Sequence, residues 1–154
     1  MADGDRMMID LQPLAPRDFE AWLPLWQGYL TFYKAQLPEP VTRLTFERLT
    51  GGSEPMGAFI ARDEGGVALG IVHWILHRSC WTAGDYCYLQ DLFVMPGRRN
   101  GGIGRKLIAA VYAEAARHDC SRVYWLTHET NHDAMKLYDQ VADRSGFLQY
   151  RKVL

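Results

Sequence analysis

The sequence predicts a mixed α/β fold in which antiparallel strands come first and a parallel pair follows. Three observations carry this. Residues 57–62 ("GAFIAR") and 67–77 ("VALGIVHWILH") are strand-like runs joined by "DEGG", a hairpin signal. Residues 86–127 then read as strand, glycine-rich loop, helix, strand, and a helix of that length between two strands makes them parallel. Helical periodicity flanks these units, early in the chain and again near its end.

The elements follow in order. Residues 9–14 ("IDLQPL") form a short strand. Pro16 opens a helix of about 18 residues that carries Pro24 within it. Its aromatic residues Phe19, Trp22, Trp26, Tyr29, Phe32 and Tyr33 recur at helical spacing, which puts most of them on one face. A second helical piece covers 42–49 and stops at Gly51 and Gly52. After the hairpin, 86–94 ("YCYLQDLFV") is a strand ended by Met95, Pro96 and Gly97. A helix over 102–117 shows an apolar stripe of Ile103, Leu107, Ile108, Val111, Tyr112 and Ala115. Residues 122–127 form a strand and 132–145 a last helix, with Leu137, Tyr138, Val141 and Ala142 inward. Gly146 stops that helix, and 147–154 ("FLQYRKVL") returns as a strand.

A chain of 154 residues favours one domain, over 9–154, after a flexible terminus at 1–8 that lacks a signal-peptide core. The formal charge of −1 gives no pull towards nucleic acid or anionic membranes. No apolar run approaches the ~20 residues that span a bilayer. Cys80, Cys87 and Cys120 are odd in number and lack metal spacing, which points to free thiols in a reducing, cytoplasmic setting. His73 and His77 share a strand face, but no third ligand accompanies them, so no metal is expected.

The densest signal is 98–106, "RRNGGIGRK". Glycine in a first helical turn costs about 1 kcal/mol against alanine, so repeated glycine implies close approach to the backbone. The first N–H groups of a helix lack internal partners, and the helix dipole is positive there. A phosphate meets both conditions, with Arg98, Arg99 and Arg105 adding charge. A Walker A loop does not fit, because Ile103 and Gly104 stand where Lys and Ser/Thr belong. A dinucleotide fingerprint fails at its last glycine, where Leu107 stands.

What remains is Arg99-x-x-Gly102-x-Gly104, after a strand and at a helix start. Together with "YLQDLFVMP" before it and "NHDAMKLY" (131–138) after it, this resembles the GCN5-related N-acetyltransferases (GNAT), in their polyamine or histone/polyamine branch. The resemblance implies a mostly antiparallel twisted sheet, helices on both faces, and a parallel strand pair around the CoA cleft. It implies acetyl-CoA as co-substrate, with its diphosphate on Arg99, Asn100, Gly101, Gly102, Ile103, Gly104 and Arg105. Phe93, Val94 and Met95 would offer main-chain groups to the pantetheine arm, and one of those amides would polarise the thioester carbonyl. Tyr138 would be the acid beside the sulfur, and Asn131, about two helical turns earlier, would cap the helix, face the pantetheine, or both. Trp26 and Tyr29 would wall the acceptor site, where aromatic faces suit an alkylammonium ion.

The base is left open. The related enzymes often carry Glu at the position of Gln90, and Gln cannot accept the proton. Asp91 is adjacent, but strand neighbours face opposite sides unless a bulge intervenes. His128 and Glu129 follow the strand 122–127 at its carboxyl end, where they could face the cleft. The expected activity is acetyl transfer by direct attack in a ternary complex. The acceptor is a polyamine or other small primary amine, with an amino acid or protein lysine as the alternative. A non-catalytic CoA-binding module is the competing class, and a homodimer with the carboxyl-terminal strand at its contact is expected.

Overall fold

The computed structural model describes residues 8–99 and 101–154, so the expected loose terminus and Asn100 fall, apart from Met8, outside the described residues. Strand β1 (Asp10–Pro13) leads through a 3-10 turn (Pro16–Asp18) into helix α1 (Phe19–Phe32), and helix α2 (Glu39–Thr50) follows. Then come β2 (Met56–Arg62), β3 (Ala68–His77) and β4 (Tyr86–Val94). Helix α3 (Ile103–Arg117), strand β5 (Arg122–Tyr124) and helix α4 (His132–Val141) complete the order. The sheet runs β1-β2-β3-β4-β5, antiparallel as far as β4 and parallel between β4 and β5. This is the expected mixed sheet.

Its two faces carry two cores. Trp22, Leu25 and Trp26 of α1 and Phe46 and Leu49 of α2 pack on Ile60, Ile71 and Phe93. Leu107, Ile108 and Val111 of α3 pack on Leu69, Val72, Cys87 and Leu89 of the opposite face. Each such side chain contributes about 1.5–3 kcal/mol on full burial, which fixes both helix layers to the sheet.

Four expectations about element ends are corrected. Helix α2 begins at Glu39, because Pro40 is tolerated in a first turn, where its missing N–H has no partner to lose. Strand β5 stops at Tyr124, whose partner is Tyr88: residues 125–127 run on without pairing to β4, which there leads into its irregularity at Gln90. Helix α4 ends at Val141, and Ala142 is already extended. Residues 143–154 form no strand at all: no neighbouring strand pairs with them, and Phe147 and Tyr150 are 82% and 92% exposed.

Candidate active site

The loop after β4 delivers an open helix end. Gly102 is the N-cap of α3 and sits at φ 81°, in the left-handed region, where a side chain would be strained. Among the described residues, its chain neighbours aside, nothing lies within 4 Å of the place its Cβ would occupy. Among the described residues, the N–H groups of Ile103, Gly104 and Arg105 have no partner, and the first bond into the helix is Lys106 N–H to the Gly102 carbonyl at 3.1 Å. Gly104 meets α4 closely, its Cβ position lying 3.3 Å from Leu137. The arginines turn elsewhere. Arg98 pairs with Asp63 at 3.8 Å, Arg99 Nε donates to the Val94 carbonyl at 3.0 Å, and Arg105 donates to Gln140. Backbone amides and the helix dipole therefore make the cradle.

Strand β4 breaks its alternation in the middle. His73 pairs with Asp91 and Trp74 with Leu89, so Gln90 is an extra residue without a partner. The consequence is a change of face. Cys87 and Leu89 belong to the α3 core, whereas Asp91 and Phe93 turn to the α1 side. Gln90 itself is exposed. Pairing with β5 ends at Tyr88, so the edge of β4 beyond it is open. Met95 N–H is bonded to the Leu69 carbonyl at 2.9 Å, and by alternation Phe93 also turns its main chain to β3. The groups on the open edge are those of Leu92 and Val94. Of the expected trio, Val94 lies on the open edge, with its carbonyl taken by Arg99, and Phe93 and Met95 do not.

Asp91 is 8% exposed and is held from within. His73 Nδ1 lies 2.9 Å from Asp91 Oδ2. On the α1 side Trp26 packs against His73 at 5.2 Å between centroids and stacks on Tyr29, which meets Tyr33 at 4.9 Å. Burial and then Asp91 push the Tyr29 phenol far above its ordinary range, and the same two causes raise Tyr33 and Tyr88. Burial, and then Tyr33, push Tyr138 up to about 12.

The other candidates divide. Trp26 is 6% exposed and stacked between Trp22 and Tyr29, so it backs the wall that Tyr29 presents. Asn131 stands at the N-cap of α4, but its side chain accepts no helix N–H among the described residues; its amide donates to Thr127 Oγ1 at 3.3 Å. His128 and Glu129 are exposed, and His128 Nδ1 bonds Thr130 Oγ1 at 2.7 Å within its own loop. Cys87 is fully buried on the α3 side, and burial raises its thiol to about 12, which leaves it no nucleophile. Among the described residues no three His, Cys, Asp or Glu converge to hold a metal ion.

Residues 19–142 match the sequence model of the acetyltransferase (GNAT) family. The chain belongs to the GNAT family. A curated relative, the D-amino-acid N-acetyltransferase HPA3 of Saccharomyces cerevisiae, is 35% identical over 97% of this chain and 92% of its own. The thialysine N-epsilon-acetyltransferase of Mus musculus is 31% identical over 58% of this chain and 55% of its own. Among solved structures, AAC(6')-Iy with a bisubstrate analogue of CoA is 20% identical over 96% of this chain and 99% of its own, at a TM-score of 0.81. The ribosomal-protein-alanine N-acetyltransferase of Brucella melitensis biovar Abortus 2308 is 22% identical over 96% of this chain and all of its own, at 0.78. These structures share the fold. As a GNAT enzyme the chain is an acetyl-CoA-dependent N-acetyltransferase. The cradle fits that donor, since its amides face an open space that a β-carbon on Gly102 would enter.

Sequence reasoning missed Trp22, Tyr33, Tyr88, His73 and the main chain of Leu92. Tyr33 and Trp22 were visible as members of the aromatic helical stripe. Nothing in the sequence indicated that Gln90 would be the extra residue that brings His73 opposite Asp91.

Proposed function

We propose that the enzyme acetylates a small primary amine that binds as a cation at Asp91, by direct attack in a ternary complex. The observation that carries this is the buried Asp91 carboxylate, bonded to His73 and set beside the aromatic wall of Trp26, Tyr29 and Tyr33. A carboxylate among aromatic faces suits an alkylammonium ion.

Acetyl-CoA, when bound, supplies the acetyl group as an activated thioester. The N–H groups of Gly101 to Arg105, with the flanking Asn100 and Arg99, hold its diphosphate at the positive end of α3. The main chain of Val94, with that of Leu92, meets the pantetheine as an added strand would. Asn131 faces the same arm. Asp91 holds the acceptor nitrogen, and Gln90, at the exposed bulge, borders its entrance. The His73 contact at 2.9 Å makes Asp91 an anchor for the ammonium rather than its base. An amine of pKa ~10.4 lies about 4.6 kcal/mol from its reactive form at pH 7. The proton therefore leaves to water. The nitrogen lone pair then forms the C–N bond and the C–S bond breaks, while Tyr138, still protonated, donates a hydrogen bond to the departing thiolate; the second nitrogen proton leaves to water, and water returns one to the sulfur.

A zwitterionic acceptor, an amino acid or a lysine side chain, is the second reading. The Arg122 guanidinium lies 4.2 Å over the Tyr86 ring, on the strand face it shares with Tyr88, where it would receive a carboxylate. Acceptor assays decide between the two: thiol release from acetyl-CoA is measured with polyamines, simple alkylamines and amino acids. Amine-dependent release that climbs with pH supports the proposal. Preference for amino acids supports the second reading. Tight CoA binding without amine-dependent release returns the non-catalytic module.

We read residues 9–154 as one catalytic domain, active in a reducing compartment such as the cytoplasm, where its three free cysteines are stable. The tail from Phe147 onward exposes Phe147, Leu148, Tyr150, Val153 and Leu154 and has no ladder among the described residues. A second copy of this chain would supply one, which makes the homodimer the favoured assembly. Sedimentation should give a dimer for the native chain and a monomer for Phe147→Asp combined with Leu148→Asp. A monomeric native chain overturns this assembly.

A further inference from the structure

Beneath Asp91 lies a buried chain of polar contacts that acetyl transfer does not itself require. Trp22 is fully buried, and its indole nitrogen lies 3.0 Å from His73 Nε2. His73 is 2% exposed, and its Nδ1 lies 2.9 Å from Asp91 Oδ2. The ring is held between Trp22 and Trp26, at 6.0 and 5.2 Å between centroids, with Ala58 beside it on β2.

An indole N–H can only donate, so His73 Nε2 must accept and its hydrogen must sit on Nδ1. That hydrogen points at Asp91. The opposite tautomer would set two hydrogens face to face at one end and a lone pair against a carboxylate at the other. Buried polar groups left unpaired in that way are costly. His73 is also the residue at which the register shifts, directly opposite Asp91. An inserted residue loosens the local ladder, and this contact restores a fixed direction to the side chain that follows it.

We propose that His73 is a positioning residue for the acceptor site, its Nδ1–H tautomer set by the Trp22 indole so that Asp91 presents its remaining lone pairs to the substrate ammonium. This rests on Asp91 being the ammonium anchor. His73 does not touch the acceptor, so its loss acts on acceptor binding and not on the acetyl donor.

The test combines a spectrum with kinetics on the full chain. Histidine-selective 15N labelling at the assay pH should show one imidazole with its hydrogen on Nδ1, assigned by its loss in His73→Gln. In Trp22→Phe that resonance should move towards a tautomer mixture. The acceptor KM should rise ~10-fold or more, the loss expected for a hydrogen bond to a charged group. Acetyl-CoA KM should stay within about twofold, well below one such bond. His73→Gln, whose amide can still donate, should keep acceptor KM closer to native than His73→Leu. A native His73 with its hydrogen on Nε2 overturns the proposal, and so does an equal KM for the Gln and Leu variants. Should Trp22→Phe fail to fold, the native spectrum and the two His73 variants decide. If no amine is turned over, the Asp91 anchor fails, while the spectrum still reports separately on the Trp22 contact.

Discussion

Replacing Tyr138 with Phe removes one oxygen and keeps the ring, including its edge contact with Trp125 at 5.4 Å between centroids. Stability should change little, because no hydrogen bond ties the phenol to the described residues. The kinetic cost follows from the proton balance. Burial holds Tyr138 at about 12, whereas a thiol titrates near ~8.5. Complete transfer from phenol to free thiolate would then run uphill by ~3.5 pKa units, or about 5 kcal/mol. Tyr138 therefore acts as charge builds on sulfur, through a charge-assisted hydrogen bond of about 1.5–3 kcal/mol. That corresponds to a fall in kcat of ~10–150-fold, at the low end of general acid catalysis. The assay is thiol release at saturating amine, with acetyl-CoA affinity measured separately by calorimetry. Affinity should stay within about threefold, because the oxygen matters mainly in the transition state. A thioester of a more acidic thiol needs less help in leaving and should recover part of the lost rate. Equal losses in kcat and affinity, or no response to the leaving group, would make Tyr138 a wall of the cleft and nothing more.

Gly102→Glu should abolish acetyl-CoA binding, because it strains a left-handed residue by about 1–2 kcal/mol and sets a negative charge where the diphosphate belongs. Gly102→Ala, read by the same calorimetry, isolates the strain, and unchanged affinity in the Glu variant would remove the loop from the donor site. Asp91→Asn keeps the shape and loses the charge, so acceptor KM should rise ~10–150-fold while acetyl-CoA affinity holds; a neutral result moves the ammonium elsewhere. Asp18 tests the frame instead of the site. Burial alone would raise its carboxyl, but the Ala15 N–H at 2.8 Å and Arg62 at 2.9 Å outweigh it and hold the group below its ordinary value of 3.8. A depressed folded value gives stability that is present above the unfolded value and lost as pH falls through the folded one. Chemical denaturation of Asp18→Asn should therefore show a deficit of about 1–3 kcal/mol at pH 7 that shrinks below about pH 4.

What the sequence disclosed is what local chemistry dictates. The limits of β4 are legible because an apolar run meets Met95-Pro96-Gly97. The loop is legible because repeated glycine destabilises a helix start unless a ligand must come close to the backbone, and Gly102 does adopt a conformation that bulkier residues avoid. The stripe of α3 is legible because Leu107, Ile108 and Val111 repeat with the helix and all become buried. The failures lie where a partner decides. Residues 125–127 and 147–154 have strand composition, yet a strand is a relation between two segments: 125–127 leave β4 before its irregularity, and 147–154 have no neighbour among the described residues. His73 looked like an isolated polar residue in an apolar strand, because its partners Trp22 and Asp91 stand 51 and 18 residues away.

The decisive feature is one residue of excess in β4. Without it, Asp91 would follow Cys87 and Leu89 by strict alternation and enter the α3 core, where a carboxylate meets only apolar neighbours. With it, Asp91 turns to the α1 side and meets the imidazole of His73, which packs against Trp26. The ladder to β5 ends just before the same point, which leaves the main chain of Leu92 and Val94 on the open edge of β4. The resemblance put a glutamate at position 90 and found Gln90. The bulge changes which side chain turns inward. Gln90 is carried out to solvent, and the neighbouring carboxylate is turned to the α1 side. The strand's own irregularity thus sets the carboxylate of Asp91 where the proposed anchor needs it.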